Sequence, residues 1–294
     1  MFFADHARSH EPAGEVAEVG DGVAGWSPGD RVAVYPIQTC GSCEHCVSGR
    51  MQVCSSRRIT GIHLAGALAE FLLTPATCLI ALPAAVPFEV GGIITDAVAT
   101  PFHALRDHAA LRAGETVAVF GVGGLGLHAV ELARFMGAAW VLAVDVQAQQ
   151  LQRAGEFGAD VLIDATARDP VAVVLAATGG RGVDVAAEFI GLQGTIAQAV
   201  ECLATGGRAV IVGLGAEPIT GPPPTVFVRK EAALLASYGS TKHTSELLIS
   251  LVASGRLNLT QSITHTFPLE HADEALRVLQ TKDGDPIRVV VNPT

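Results

Sequence analysis

Four thiols lie within fifteen residues, Cys40, Cys43, Cys46 and Cys54 in CGSCEHCVSGRMQVC, at the spacing C-x2-C-x2-C-x7-C. Each two-residue gap turns consecutive thiolates toward a common centre, and the seven-residue loop returns the fourth. That is the ligand set of a closed tetrahedral zinc site, in which no position is left for water and the metal holds a loop. A pair of disulfides is the competing reading, but so tight a knot would strain them and nothing in the sequence points to secretion. A second constellation is Gly121-Val122-Gly123-Gly124-Leu125-Gly126, set between the apolar run TVAVF and a helical stretch. Gly121 and Gly123 let the backbone turn tightly and approach a pyrophosphate. Gly126 lets the helix pack close to the strand, and the helix N-terminus favours negative charge. Asp145 ends the next apolar run, WVLAVD. A carboxylate there accepts from adenosine ribose hydroxyls and repels a ribose phosphate, which selects NAD over NADP.

The elements that must position these groups follow from periodicity. From Thr116 onward the short apolar runs TVAVF, WVLAVD, VLID, VDVAAEFI and RAVIVG alternate with helical stretches, the first two at 125–136 and 147–157. Such alternation predicts a doubly wound parallel sheet of Rossmann type, an α/β architecture with helices on both faces. Before it, alternating patterns predict short strands at 15–19 and 31–35, and a further short strand is expected near 69–73. After Ser240 two helices, 244–254 and 269–281, precede a closing strand at 287–291.

Hydrophobic residues make up 49% and charged ones 16% of 294 residues, a composition that packs and a length that suits two domains or one large one. A net charge of −10 with no basic block argues against non-specific nucleic-acid binding. The opening MFFADHARSHEPAGE has no sustained apolar core of a signal peptide. The most apolar region, 117–144, carries Glu131 and Arg134 and is broken by glycines, so no membrane span is expected. Cys78 and Cys202 fall in apolar runs and read as buried, reduced thiols, which suits a cytoplasmic protein.

A cysteine loop of this kind ahead of a Rossmann unit resembles the zinc-containing medium-chain alcohol dehydrogenases. The resemblance also covers HEPAGEVAEVGDGV, GDRV, ITDAVATPFHAL, AGETVAVFGVGGLGLHAVELARFMGA and the terminal IRVVVNP. It implies a GroES-like β-barrel catalytic domain in two pieces, 1–97 and 238–294, flanking a Rossmann NAD-binding domain at 98–237. His10 and Glu11 match the family's Gly-His-Glu, with Ser9 in place of the glycine. The resemblance makes His10 a ligand of a catalytic zinc and Glu11 an alternating or outer partner. Asp96 falls on the next ligand, Thr100 on the threonine beside the nicotinamide, and Arg288 on the arginine that reaches the cofactor phosphates. It further implies an alcohol or carbonyl substrate and a homo-oligomer, dimer or tetramer, for which the apolar AALLAS at 232–237 offers a sheet edge. The family's Cys-x-x-[His/Cys]-[Ser/Thr]-Asp motif, which supplies a thiolate ligand and starts a proton relay, has no counterpart before His10. The barrel is therefore expected to be incomplete, with tight NAD binding but slow, zinc-dependent alcohol oxidation. Two other readings remain open: an NAD-binding protein of the same fold with little or no turnover that retains only the structural zinc, and a zinc-free quinone or enoyl reductase. The intact cysteine loop speaks against the latter.

Overall fold

The computed structural model describes residues 9–219 and 221–293. The chain divides into two compact units, one spanning Thr100–Tyr238 and the other formed by the residues on either side.

In the flanking unit β1 (Ala13–Glu15) pairs antiparallel with β2 (Arg31–Val34). A second ladder joins β3 (Ile37–Gln38) to β4 (Arg58–Ile59), and β5 (Leu79–Ala81) closes the three-stranded sheet against β2. The loop between β3 and β4 contains the single turn α1 (Glu44–Val47) and a 3-10 turn, Met51–Val53, and carries all four clustered cysteines. Helix α2 (Phe88–Ile93) opens after Pro87 and widens into a π turn, Ile94–Val98. Arg31 fixes the approach to α2, donating to the Val86 carbonyl at 2.8 Å and stacking 3.7 Å from the Phe88 ring centre.

Two expected strands are corrected here. The first is Ala13–Glu15 instead of 15–19: beyond Glu15 the chain leaves the ladder for a loop, held by Val16 N–H on Asp30 and Gly29 N–H on Val16. The second, 69–73, is not a strand. Phe71 and Leu73 are 74% and 97% exposed, and no strand among the described residues pairs with it. An apolar run without a partner for its backbone N–H and C=O groups makes no ladder.

The second unit opens within α3 (Ala99–His103), which runs into another π turn, Ala104–His108. Its strands are β6 (Thr116–Phe120), β7 (Trp140–Asp145), β8 (Val161–Asp164), β9 (Val183–Glu188), β10 (Leu203–Ile211) and β11 (Ala233–Ala236). Between them lie α4 (Gly124–Phe135), α5 (Ala148–Glu156), α6 (Pro170–Ala177), α7 (Gln193–Glu201) and α8 (Pro224–Lys230). All pairings are parallel, in the order β11-β10-β9-β6-β7-β8. The strands are mostly apolar, as expected where helices cover both faces of a parallel sheet. Phe120, Leu142, Ile163, Val183 and Leu203 are fully buried. The order reverses direction between β6 and β9, and the carboxyl ends of these strands form the crevice where such sheets bind ligands. β11, which includes most of AALLAS, is the sheet's edge.

The chain then returns to the flanking unit with α9 (Lys242–Ala253), whose first turn is capped by the Thr241 hydroxyl on Thr244 N–H. Strand β12 (Ile263–Pro268), α10 (Ala272–Thr281) and β13 (Arg288–Asn292) form a small parallel layer; β12 has no counterpart among the predicted strands. The buried Tyr35 hydroxyl donates to the Ser240 carbonyl at 2.6 Å and pins this return to β2's end.

Candidate catalytic and cofactor sites

The cysteine loop meets the geometric demand of one tetrahedral ion. Sulfur pairs lie 3.5 Å (Cys43–Cys46), 3.6 Å (Cys40–Cys54), 3.8 Å (Cys43–Cys54) and 4.0 Å (Cys40–Cys46) apart. Zinc–sulfur bonds of about 2.3 Å at tetrahedral angles require sulfur separations of about 3.8 Å. None of the four forms a disulfide. Backbone N–H groups of Ser42 and Cys43 hold the Cys40 thiol down to about 6, whereas burial pushes Cys46 up to about 11. Deprotonating all four would crowd like charges together, so a cation among them fits the donor set.

The second constellation is in the same unit. His10, Glu11 and Asp96 bring ligand atoms within 4.8 Å of one another, although Asp96 is 86 residues from His10. His10 Nε2 lies 3.1 Å from Asp96 Oδ2, close to the roughly 3.3 Å edge expected between two donors at about 2.0–2.1 Å from one zinc. The segment carrying His10 and Glu11 is clamped by two glycines. A Cβ at Gly92 would sit 2.5 Å from the Glu11 carbonyl oxygen, and one at Gly61 would sit 2.5 Å from that of Ser9. Only glycine at 92 lets α2 lie this close to the segment leading into β1.

The π turn performs the complementary task. In an α-helix the Ala97 N–H points along the axis to residue 93; in this wider turn it donates to Glu11 Oε1 at 2.8 Å. Glu11 Oε2 faces Arg288 at 3.7 Å. Both Glu11 oxygens thus have partners already, which suits an outer position better than a permanent ligand. The Asp96 hydrogen bond holds the His10 imidazole above its ordinary range, and burial raises Glu11 against the pull of Arg288. His10, Glu11, Phe88, Leu276 and Arg288 line a cavity of about 350 Å³. Arg288 thus contacts a carboxylate within its own unit. Ser9 adopts φ +89°, in the region that favours glycine, at the position where the resembled motif has glycine.

In the Thr100–Tyr238 unit the glycine loop is built as its motif requires. Gly121 has φ +81°, and a Cβ on Gly126 would meet the Gly121 carbonyl oxygen at 1.9 Å, so α4 starts directly against β6. Gly123 has open space where a Cβ would be, and no side chain caps the N-terminus of α4 there. Gly124 and Leu125 form its first turn. That leaves a partly exposed helix N-terminus with no side-chain cap, the setting in which a pyrophosphate is bound. Asp145 Oδ2 accepts from Val122 N–H at 2.9 Å and Oδ1 from Val146 and Gln147, which ties the glycine loop to the end of β7. Thr100 is buried in α3.

Sequence reasoning missed the clamping glycines and the π turn. The Gly91-Gly92 pair inside a helical stretch was the available signal, since helices tolerate glycine at a cost unless something must approach closely.

Residues 124–254 match the zinc-binding dehydrogenase family, and residues 3–84 match the alcohol dehydrogenase GroES-like domain. An L-threonine 3-dehydrogenase from Bacillus velezensis is 32% identical over 97% of this chain and 81% of its own length. An NAD-dependent alcohol dehydrogenase of Sulfurisphaera tokodaii is 33% identical over 92% of this chain and 77% of its own. Among solved structures, an alcohol dehydrogenase from Thermus sp. ATN1 superposes with a TM-score of 0.91 at 30% identity, over 98% of this chain and 85% of that one. The chain belongs to the zinc-containing alcohol dehydrogenase family, and its fold is the family's pairing of a GroES-like domain with a Rossmann sheet.

Proposed function

We propose that this chain is an NAD-linked dehydrogenase that oxidises an alcohol to its carbonyl compound, or the reverse, at a zinc held by His10 and Asp96. The observation that carries this reading is the convergence of His10, Glu11 and Asp96 from distant parts of the chain. Zinc bound there would supply polarisation of a hydroxyl oxygen, easing loss of its proton so that hydride can pass from the carbon to the nicotinamide.

The chain's own residues have separable tasks. His10 and Asp96 provide a neutral nitrogen and an anionic oxygen, both ordinary zinc donors. Glu11 stands behind them, its carboxylate oriented by Ala97 N–H and Arg288. Cys40, Cys43, Cys46 and Cys54 hold a second zinc that stiffens their loop. Gly121 to Gly126 receive the pyrophosphate, Thr100 packs beside the nicotinamide, and Arg288 serves the phosphates once Glu11 releases it. Asp145 receives the adenosine ribose. NAD is favoured over NADP because residues 146–152 contain no lysine or arginine to meet a ribose phosphate, and Arg153 is buried. The NAD-dependent Sulfurisphaera relative supports the same choice. We further propose a homo-oligomer joined along β11 and a cytoplasmic setting.

The test is oxidation of a panel of primary, secondary and vicinal alcohols by the purified chain, followed by NADH absorbance. Turnover abolished by His10→Ala, with NAD affinity intact, supports the reading. No turnover on any alcohol, with full zinc, would favour an NAD-binding protein without catalysis.

A further inference from the structure

The second π turn carries a group of side chains that the dehydrogenase reading leaves unused. Residues five apart on an α-helix point roughly 140° away from each other. Between His103 and His108 the backbone instead closes a wider turn, with Ala109 N–H donating to the Ala104 carbonyl at 2.8 Å. The extra residue rotates His108 onto the face of His103. Their Nε2 atoms lie 3.3 Å apart, with ring centres separated by 4.8 Å and planes nearly perpendicular.

The tautomers follow from Asp107. Its Oδ2 lies 2.6 Å from His103 Nδ1, and its Oδ1 is 3.0 Å from Arg106 Nε. Burial opposes ionisation of Asp107, but His103 and Arg106 together hold its carboxyl below the usual range. An ionised Asp107 keeps the His103 proton on Nδ1, so Nε2 presents its lone pair toward His108. Burial and the neighbouring His103 hold the His108 imidazole below its ordinary range, toward the neutral form that can bind metal. Two imidazole nitrogens each about 2.1 Å from a tetrahedral ion stand about 3.3–3.4 Å apart. A carboxylate on the far nitrogen is the usual outer partner of a metal-bound histidine.

We propose that His103 and His108 form a third metal site, distinct from both zinc sites above, which takes a divalent transition-metal ion through the two Nε2 atoms. Asp107 orients His103, and water completes the coordination on the side left open by the partly exposed His108. Metal binding moves the His108 proton from Nε2 to Nδ1, so no proton is released from the neutral pair. The π turn is what assembles the site, because the same sequence in an α-helix would part the two rings.

The experiment is equilibrium dialysis of the zinc-loaded protein against Ni2+, an imidazole-preferring probe, with imidazole NMR of the histidines. We expect one Ni2+ bound per chain beyond the resident zinc, with the His103 and His108 resonances broadened first. Asp107→Asn should weaken Ni2+ affinity about 10–100-fold. His108→Asn should abolish the binding while leaving zinc content and circular dichroism unchanged. Failure to bind Ni2+ at millimolar concentration would overturn the proposal and leave a simple hydrogen-bonded pair. So would binding that spares these two resonances, and so would wild-type Ni2+ affinity in His108→Asn. Should His108→Asn misfold, the NMR readout on the wild type still decides.

Discussion

Replacing Gly92 with alanine should push the His10–Glu11 segment away from Asp96. The new Cβ would stand 2.5 Å from the Glu11 carbonyl oxygen, and no side-chain rotation relieves a clash with backbone. Ordinary carbon–oxygen contact begins near about 3.3 Å, so the strand or the helix must move by about 0.8 Å. Such a shift stretches the Ala97 N–H bond to Glu11, now 2.8 Å, past hydrogen-bonding range. Overpacking costs about 1–3 kcal/mol, and the strained carboxylate bond, partly solvated, adds about 1 kcal/mol. Helix propensity returns about 1 kcal/mol for Gly→Ala. The net loss is about 1–3 kcal/mol. Gly91→Ala is the internal control. It gains the same propensity, but its Cβ meets side-chain atoms and no backbone, the Leu82 methyl groups at 2.8 Å and the Ala13 Cβ at 3.4 Å. Thermal melting and zinc analysis of both variants read the difference. The Gly92 variant should melt several degrees below the Gly91 variant and lose zinc from the His10 site while keeping the cysteine-bound ion. Equal melting points and equal zinc would refute the clamp.

Ser9→Gly should stabilise the protein by about 0.5–1 kcal/mol, because a side chain at positive φ costs about 1–2 kcal/mol and glycine's extra chain entropy offsets only part; denaturant titration checks it. Asp145→Ser should narrow the preference for NAD over NADP about tenfold or more, since like charges about 5 Å apart near a surface repel by a few kcal/mol; the two dissociation constants, measured by NADH and NADPH fluorescence, are the readout. Burial is the largest single influence on Glu115 and opposes its charge, yet the Arg208 guanidinium and Arg112 N–H outweigh it and hold the carboxyl below the usual range. Its stabilisation is therefore complete above about pH 5 and lost as pH falls below about 4. Arg208→Ala should cost about 2 kcal/mol at pH 7, and the gap from wild type should shrink in acid, as urea midpoints at pH 7 and 4 would show.

Much of the Rossmann unit is legible because each strand is a short apolar run between helical stretches: TVAVF, WVLAVD and VLID occupy β6, β7 and β8 residue for residue. The glycine loop and the cysteine cluster are equally readable, since their chemistry depends on local spacing. The flanking unit resists reading because its strands are two to six residues long and their partners are remote in sequence. Residues 69–73 are mostly apolar without forming a strand, while β12 forms against a segment some twenty residues later. The clamp at Gly92 and the two π turns depend on how a helix meets a distant strand, and no local pattern in ITDAVATPFHALRDH announces an extra residue in the turn. His10 and Asp96 entered only through family resemblance; the structure adds that they stand 3.1 Å apart.

The most direct test is zinc per chain, measured by mass spectrometry on protein purified without added chelator, for the wild type and for His10→Ala. Two zincs in the wild type and one in His10→Ala, with the cysteine loop still occupied, are predicted. A single zinc in both would contradict a metal at His10 and Asp96, and with it the proposed catalysis.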